Sequence, residues 1–137
     1  MNTHVARFER HAELVRLGDR RLLRELAYVD GKWTAGAAQR VFELRDPATG
    51  AALARVADLG AEEAGQAVAA ASRAFPGWRA LLPQERAAKL RGWFDLILAA
   101  KDDLALLMTL EQGKPLAEAA GEIDYAASFV EWYAEEA

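Results

Sequence analysis

No cysteine occurs in the chain. That absence excludes disulfides, a thiolate nucleophile and cysteine-ligated zinc. Histidine is almost as scarce. His4 and His11 are the two, and both fall in a weakly patterned first stretch where solvated side chains are expected. No apolar run approaches the roughly 20 residues that span a bilayer, so no membrane partner is expected. The first ten residues contain Glu9 and two arginines but no apolar segment of the kind a secretory signal needs. Neither G-x-G-x-x-G nor a phosphate-binding P-loop is present. An excess of positive charge is also missing. The net charge is −4, which gives no electrostatic reason to expect nucleic acid. A cytoplasmic protein is the default these absences leave.

What is present describes a folded chain. Of the 137 residues, 53% are hydrophobic and 28% charged. That balance is globular, and the length suffices for one core. Residues 1–25 read as an N-terminal extension. Phe8, Leu14, Val15, Leu17, Leu22 and Leu23 are set among arginines and acids, which predicts a stretch packed loosely on its own protein. Asp19 is placed to cap a short helix containing Leu22 and Leu23.

From Leu26 the apolar period shortens. Leu26-Ala27-Tyr28-Val29 and Lys32-Trp33-Thr34 flank Asp30-Gly31, which predicts a hairpin with a type I′ turn. Residues 41–45 alternate, with Phe42 and Leu44 on one face. Asp46-Pro47-Ala48-Thr49-Gly50 is a strong turn, and residues 52–57 are the returning strand. Two small hairpins cannot stand alone and need the helices that follow. A helix opens at Ala61 with Glu62 and Glu63 in its first turn. Ala64, Val68, Ala71 and Phe75 share a face of it, and Pro76-Gly77 is expected to stop it. Trp78 and Leu81 then fall in a connector. Pro83 starts a second helix, with Leu90, Trp93, Phe94, Ile97 and Leu98 as its stripe. Asp102-Asp103 can cap a third. The fourth places Leu116, Ala119, Ile123, Ala126, Phe129, Val130 and Tyr133 inward or toward a partner. Glu135 and Glu136 oppose the helix dipole there, which suggests a chain cut short. The fold class expected is α+β: two small β-hairpins followed by a layer of about four helices.

Between the third and fourth helices lies Glu111-Gln112-Gly113-Lys114-Pro115. Gly113 can take the positive φ that closes a helix. Lys114 sets a cation beside that helix's negative end, and Pro115 is suited to the first position of the next helix. A helix–corner–helix explains the run without catalysis. The acid pairs Glu62-Glu63 and Asp102-Asp103 sit at helix starts, where capping accounts for them. Asp124 and Glu131 belong on a polar face. The four tryptophans are expected to be core anchors. Residue chemistry alone stops at an α+β domain, mostly helical.

The ordered motifs carry more. The run 110–119, then Gly121-Glu122-Ile123 and Tyr125-Ala126-Ala127-Ser128-Phe129-Val130-Glu131-Trp132, resembles the N-terminal part of the aldehyde dehydrogenase superfamily. Within it the likeness is strongest to the succinate-semialdehyde dehydrogenases. Tyr28-Val29-Asp30-Gly31-Lys32-Trp33 resembles the family's opening hairpin. Asp46-Pro47-Ala48-Thr49-Gly50 resembles its N-P-A-T-G turn, with Asp for the usual Asn. Ala74-Phe75-Pro76-Gly77-Trp78-Arg79 and Glu85-Arg86-Ala87 fit its first two helices. The resemblance covers about Leu22 to Ala137.

The resemblance implies that residues 26–137 are the first segment of a cofactor-binding domain, truncated before the Rossmann-like strands. It implies an enzyme that uses NAD or NADP and a cysteine thiolate to oxidise a small aldehyde, succinate semialdehyde when whole, and that works as a homo-oligomer. The nucleophile, the general base and the cofactor strands would all lie beyond position 137. No catalytic or cofactor-binding residue is therefore assigned in this chain, which is expected to be inactive alone and to bind no cofactor. The family's last helix here borders the substrate tunnel, with Ala117 and Gly121 toward it, and ordinary helix packing accounts equally well for both. Some family members hold a structural monovalent cation. Carried over, its ligands are the backbone carbonyls of Leu44 and Arg45 and the carboxylate of Glu111; solvation of Glu111, or its pairing with Lys114, is the alternative. Two other readings of the whole remain: a small stand-alone helical binding module, and one half of a split dehydrogenase.

Overall fold

The computed structural model describes residues 11–137. His4 and the first ten residues lie outside the described part. Two single 3-10 turns come first, Ala12–Arg16 and Arg20–Leu22. Four strands follow: β1 (Ala27–Val29), β2 (Lys32–Thr34), β3 (Val41–Arg45) and β4 (Ala52–Ala57). Four helices complete the chain: α1 (Ala61–Arg79), α2 (Pro83–Ala99), α3 (Lys101–Gln112) and α4 (Leu116–Glu135). The strands form two separate antiparallel pairs, β1 with β2 and β3 with β4.

The local chemistry of the turns is realised. Asp30 and Gly31 have φ of 51° and 78°, both positive as a type I′ turn requires. In the second hairpin the Gly50 amide donates to the Asp46 carbonyl at 2.7 Å, and the Asp46 amide donates to the Ala51 carbonyl at 3.0 Å. Pro83 is the first residue of α2, and Glu85 reaches back to the Leu82 amide at 2.8 Å. Glu63 does the same for α1, accepting from Gly60 at 3.0 Å and also from Ala37 at 3.2 Å. Amide hydrogen bonds, its own backbone N–H first, hold its carboxyl below the usual range.

Pro76 does not stop α1, which runs through it to Arg79 and takes Trp78 with it. An internal proline forfeits its own amide bond and strains the turn before it, yet the bonds on either side can persist. The Ala80 amide still donates to the Pro76 carbonyl at 3.2 Å. Nor does Asp103 cap α3. Its carboxylate turns to the N-terminal segment and accepts from the amides of Gly18 at 2.9 Å and Asp19 at 2.7 Å. Asp19 caps the turn Arg20–Leu22 as expected, accepting from the Arg21 amide.

The core lies between β4 and α3. Leu53, Ala54, Leu106, Leu107 and Leu110 are buried together, and Leu14 and Leu17 close the cluster from the N-terminal side. The first stretch therefore packs more firmly than its composition suggests. It runs along β4, with the His11 amide donating to the Ala52 carbonyl and the Ala57 amide to the Glu25 carbonyl. A second cluster, Ala105, Ala119 and Ile123, joins α3 to α4. The face of α1 expected to be apolar and covered is open: Val68 and Phe75 are exposed, and Ala70 is the residue buried. All four tryptophans are more than a third exposed instead of anchoring the core. Periodicity identifies a face but not the presence of a neighbour.

Asp103 is the clasp of the N-terminal segment. Replacing it with alanine strands two amides and should cost on the order of 1 kcal/mol. Amide hydrogen exchange at Gly18 and Asp19 should accelerate while α4 amides keep their protection. Unchanged exchange at both positions would show that the clasp contributes nothing.

Candidate functional site

The corner between α3 and α4 meets the turn between β3 and β4. Gly113 ends α3 with φ 74°, a left-handed conformation that glycine adopts without a Cβ penalty. A Cβ at that position would lie 3.1 Å from Cγ of Pro47. The corner therefore sits directly on the Asp46-Pro47-Ala48-Thr49-Gly50 turn. Pro115 is the cap of α4 and Leu116 its first residue. Lys114 pairs with Glu122 on α4 and not with Glu111.

The turn is held from inside by Asp46, a buried acid. Its carboxylate accepts from the Thr49 hydroxyl at 2.7 Å and the Ala48 amide at 2.8 Å. His11 Nε2 approaches it at 3.1 Å, and the two side chains are only 10% and 7% exposed. His11 is thus part of this network and not solvated as expected. Its Nδ1 accepts from the Glu13 amide at 3.2 Å, so the nitrogen free to donate is Nε2. The hydrogen bond from Thr49, then that from Ala48, holds the Asp46 carboxyl below the usual carboxylate range, and His11 adds to the effect. No local signal in the sequence joins residue 11 to residue 46.

Leu44 packs against the first core cluster, and β3 and α3 are in contact. Arg45 is drawn toward the turn, its guanidinium donating to the Gly50 carbonyl at 2.7 Å. Glu111 remains solvent-exposed as a residue, yet partial burial pushes its carboxyl up. It has no ion-pair or hydrogen-bond partner among the described residues. No group of three or more His, Asp or Glu side chains suited to a metal occurs among them either; a carbonyl-based site would not need one.

A nicotinamide dinucleotide calls for parallel strands and a glycine-rich strand-to-helix turn that offers backbone amides to the pyrophosphate. Among the described residues every strand pair is antiparallel, and no residue is assigned to that group. Ala117 and Gly121 are both exposed on α4. Nearby, Tyr125, Phe129, Trp132 and Tyr133 are also exposed.

Residues 33–137 match the aldehyde dehydrogenase family. The chain belongs to that family. It is 54% identical over 123 residues to glutarate-semialdehyde dehydrogenase of Pseudomonas aeruginosa, covering 90% of this chain and 26% of the relative. It is 52% identical over 122 residues to the NADP(+) succinate-semialdehyde dehydrogenase of Escherichia coli, covering 89% and 25%. The crystal structure of succinate-semialdehyde dehydrogenase from Burkholderia pseudomallei superposes with a TM-score of 0.85 at 56% identity, over 88% of this chain and 25% of that one. The chain thus spans about a quarter of the length of the curated relatives it matches. Its two small sheets and four helices match the N-terminal part of the aldehyde dehydrogenase fold.

The buried acid of the turn gives this aldehyde dehydrogenase segment a defined response to pH. A carboxyl with a depressed folded pKa stabilises above its unfolded value, about 3.9 for Asp, and that contribution is lost as pH falls through the lower folded value. Thr49→Val removes the largest cause of the depression. The variant should melt lower than the parent at pH 6, and the gap should narrow as pH falls below about 4. Asp19, held down to about 2 chiefly by the Arg21 side chain, titrates alike in both proteins and cancels. A gap that stays constant with pH would remove Asp46 from this role.

Proposed function

We propose that this chain is the opening segment of an NAD- or NADP-dependent aldehyde dehydrogenase that oxidises succinate semialdehyde to succinate. In that reading residues 26–137 begin the cofactor-binding domain, residues 1–25 precede it, and the whole enzyme is a cytoplasmic homo-oligomer. The observation that carries the proposal is 52–56% identity to succinate-semialdehyde dehydrogenases along nearly all of this chain. The glutarate-semialdehyde relatives support a semialdehyde that carries a carboxylate at its far end. The cofactor would accept hydride when bound to the rest of the subunit. The residues here do other work: they set the corner on the turn, seal the β4–α3 core and present α4 to the remainder of the fold. With no cysteine, the chain has no thiolate to attack an aldehyde.

The purified chain should form no NAD(P)H from succinate semialdehyde. A chimera in which it replaces the matched quarter of the Escherichia coli enzyme should form NADPH and prefer succinate semialdehyde over acetaldehyde. Turnover by the chain alone, or a folded chimera without activity, overturns the reading.

The same reading assigns a monovalent cation to the carbonyls of Leu44 and Arg45 and the Glu111 carboxylate. Oxygen donors suit a hard cation, and Glu111 is a partly desolvated carboxylate with no cation opposite it among the described residues. Glutamate stands where the family often has the shorter aspartate, and a further ligand would come from beyond position 137, so binding by this chain is weak. Potassium chloride should raise the melting temperature of the chimera above choline chloride at equal ionic strength, and Glu111→Gln should abolish the difference. An equal response in both proteins removes the site.

A further inference from the structure

The β1–β2 hairpin turns on Asp30-Gly31, and this pair carries a chemistry that the other aspartates lack. Asp30 is the only aspartate followed by glycine. Elsewhere the next residue has a Cβ that crowds the peptide between them, and after Asp46 it is a proline with no N–H. The Gly31 amide is open. A Cβ built on Gly31 would have the Tyr28 hydroxyl, at 3.9 Å, as its nearest atom. Among the described residues no hydrogen bond engages the Gly31 amide.

Two ties hold the turn in place. One is the strand ladder. Its strands are three residues each and form a sheet of their own. Such a hairpin is marginal in water and opens locally at small cost. The other tie is Arg73 of α1, which donates to Asp30 Oδ2 at 3.2 Å. Both side chains are more than 60% exposed, so the pair is a weak restraint. The two residues line a cavity of about 430 Å³ between the hairpin and α1. Asp30 also holds φ at 51°, a left-handed conformation that costs any residue with a Cβ.

We propose that Asp30-Gly31 is a site of backbone isomerisation, held in check by Arg73. When the hairpin opens, the Gly31 nitrogen bonds to Cγ of Asp30. The amide proton and one carboxyl oxygen leave as water, and a cyclic imide closes. Water then adds at the Asp30 backbone carbonyl and breaks its bond to the Gly31 nitrogen. The chain now runs through Cβ and Cγ, and the α-carboxylate hangs free. One water is lost and one regained, with no oxidation or reduction. The charge is unchanged, but the backbone is one methylene longer. The pairing of Tyr28 with Trp33 and of Val29 with Lys32 loses the turn that sets it. The carboxylate stands directly on Cα, one bond short of its former reach to Arg73. The hairpin thereby loses its ion pair to α1.

The test incubates the purified chain in neutral buffer and follows the tryptic peptide 25–32 by chromatography and mass spectrometry. A second form of equal mass should accumulate. An isoaspartyl methyltransferase with labelled S-adenosylmethionine should mark that form and no other peptide. Arg73→Ala should speed its appearance about two- to fivefold, the range an exposed ion pair can hold back, and Arg73→Lys should restore most of the delay. Asp30→Glu should abolish the label, because its longer arm closes the ring far more slowly. Circular dichroism of the Arg73 variants should match the parent, since the side chain lies in water. The proposal falls if peptide 25–32 stays single and unlabelled, if the label appears on another aspartate first, or if Arg73→Ala isomerises no faster than the parent.

Discussion

The β3–β4 hairpin and the N-terminal segment depend on the packing of β4 against α3. Leu53 is 1% exposed and Ala54 fully buried, in one cluster with Leu106, Leu107 and Leu110. A two-stranded hairpin has too little surface to hold itself in water, and a 12-residue helix is marginal alone. Each becomes stable by burying the other. The N-terminal segment supplies Leu14 and Leu17 to close the open edge, and the turn between β3 and β4 then meets the corner after α3. The positive φ of Gly113 and the space at its missing side chain follow from that docking. A larger residue there would press on Pro47, whose Cγ lies 3.1 Å from where its Cβ would stand.

The features legible in the sequence are those set by one or two neighbouring residues. Asp30-Gly31 dictates its turn because only certain residues tolerate two successive positive φ values. Pro83, Gly113 and Pro115 mark helix ends through a fixed φ, a missing donor or a missing Cβ. The family resemblance adds order to these marks, because the turns and corners occur in one sequence. What was not legible depends on partners far along the chain. His11 reads as a solvated residue until Asp46 is beside it. Asp103 reads as a cap until Gly18 and Asp19 arrive. Val68, Phe75 and the tryptophans read as core because periodicity reports a preference for burial and not its fulfilment. The proposed cation ligands sit between these cases. Glu111 marks a helix end, but the carbonyls of Leu44 and Arg45 belong to a strand more than sixty residues earlier and carry no side-chain signature.

Ion pairs between helices show a division of labour. Apolar contacts between α3 and α4 are made by small or branched side chains such as Ala105, Ala119 and Ile123. The charges lie around them: Lys101 with Asp124 at 2.6 Å, and Arg91 with Glu131 at 2.9 Å. Exposed pairs of this kind add little energy. The buried side of α4, with Ala119, Ile123 and Ala127, decides which of its sides points outward. The acids near the end of α4, unfavourable to its dipole, find their cation on α2.

The clasp at Asp103 also constrains how the chain is made. Its bond to the Gly18 amide joins groups 85 residues apart. During synthesis the segment holding Gly18 leaves the ribosome well before its seat on α3 does. Leu14 and Leu17 must wait in water through that interval, next to hairpins that cannot yet be stable. Contacts with such long sequence separation close slowly. Residues 14–19 are therefore among the last to be ordered, and the nascent chain exposes Leu14 and Leu17 until α3 is translated.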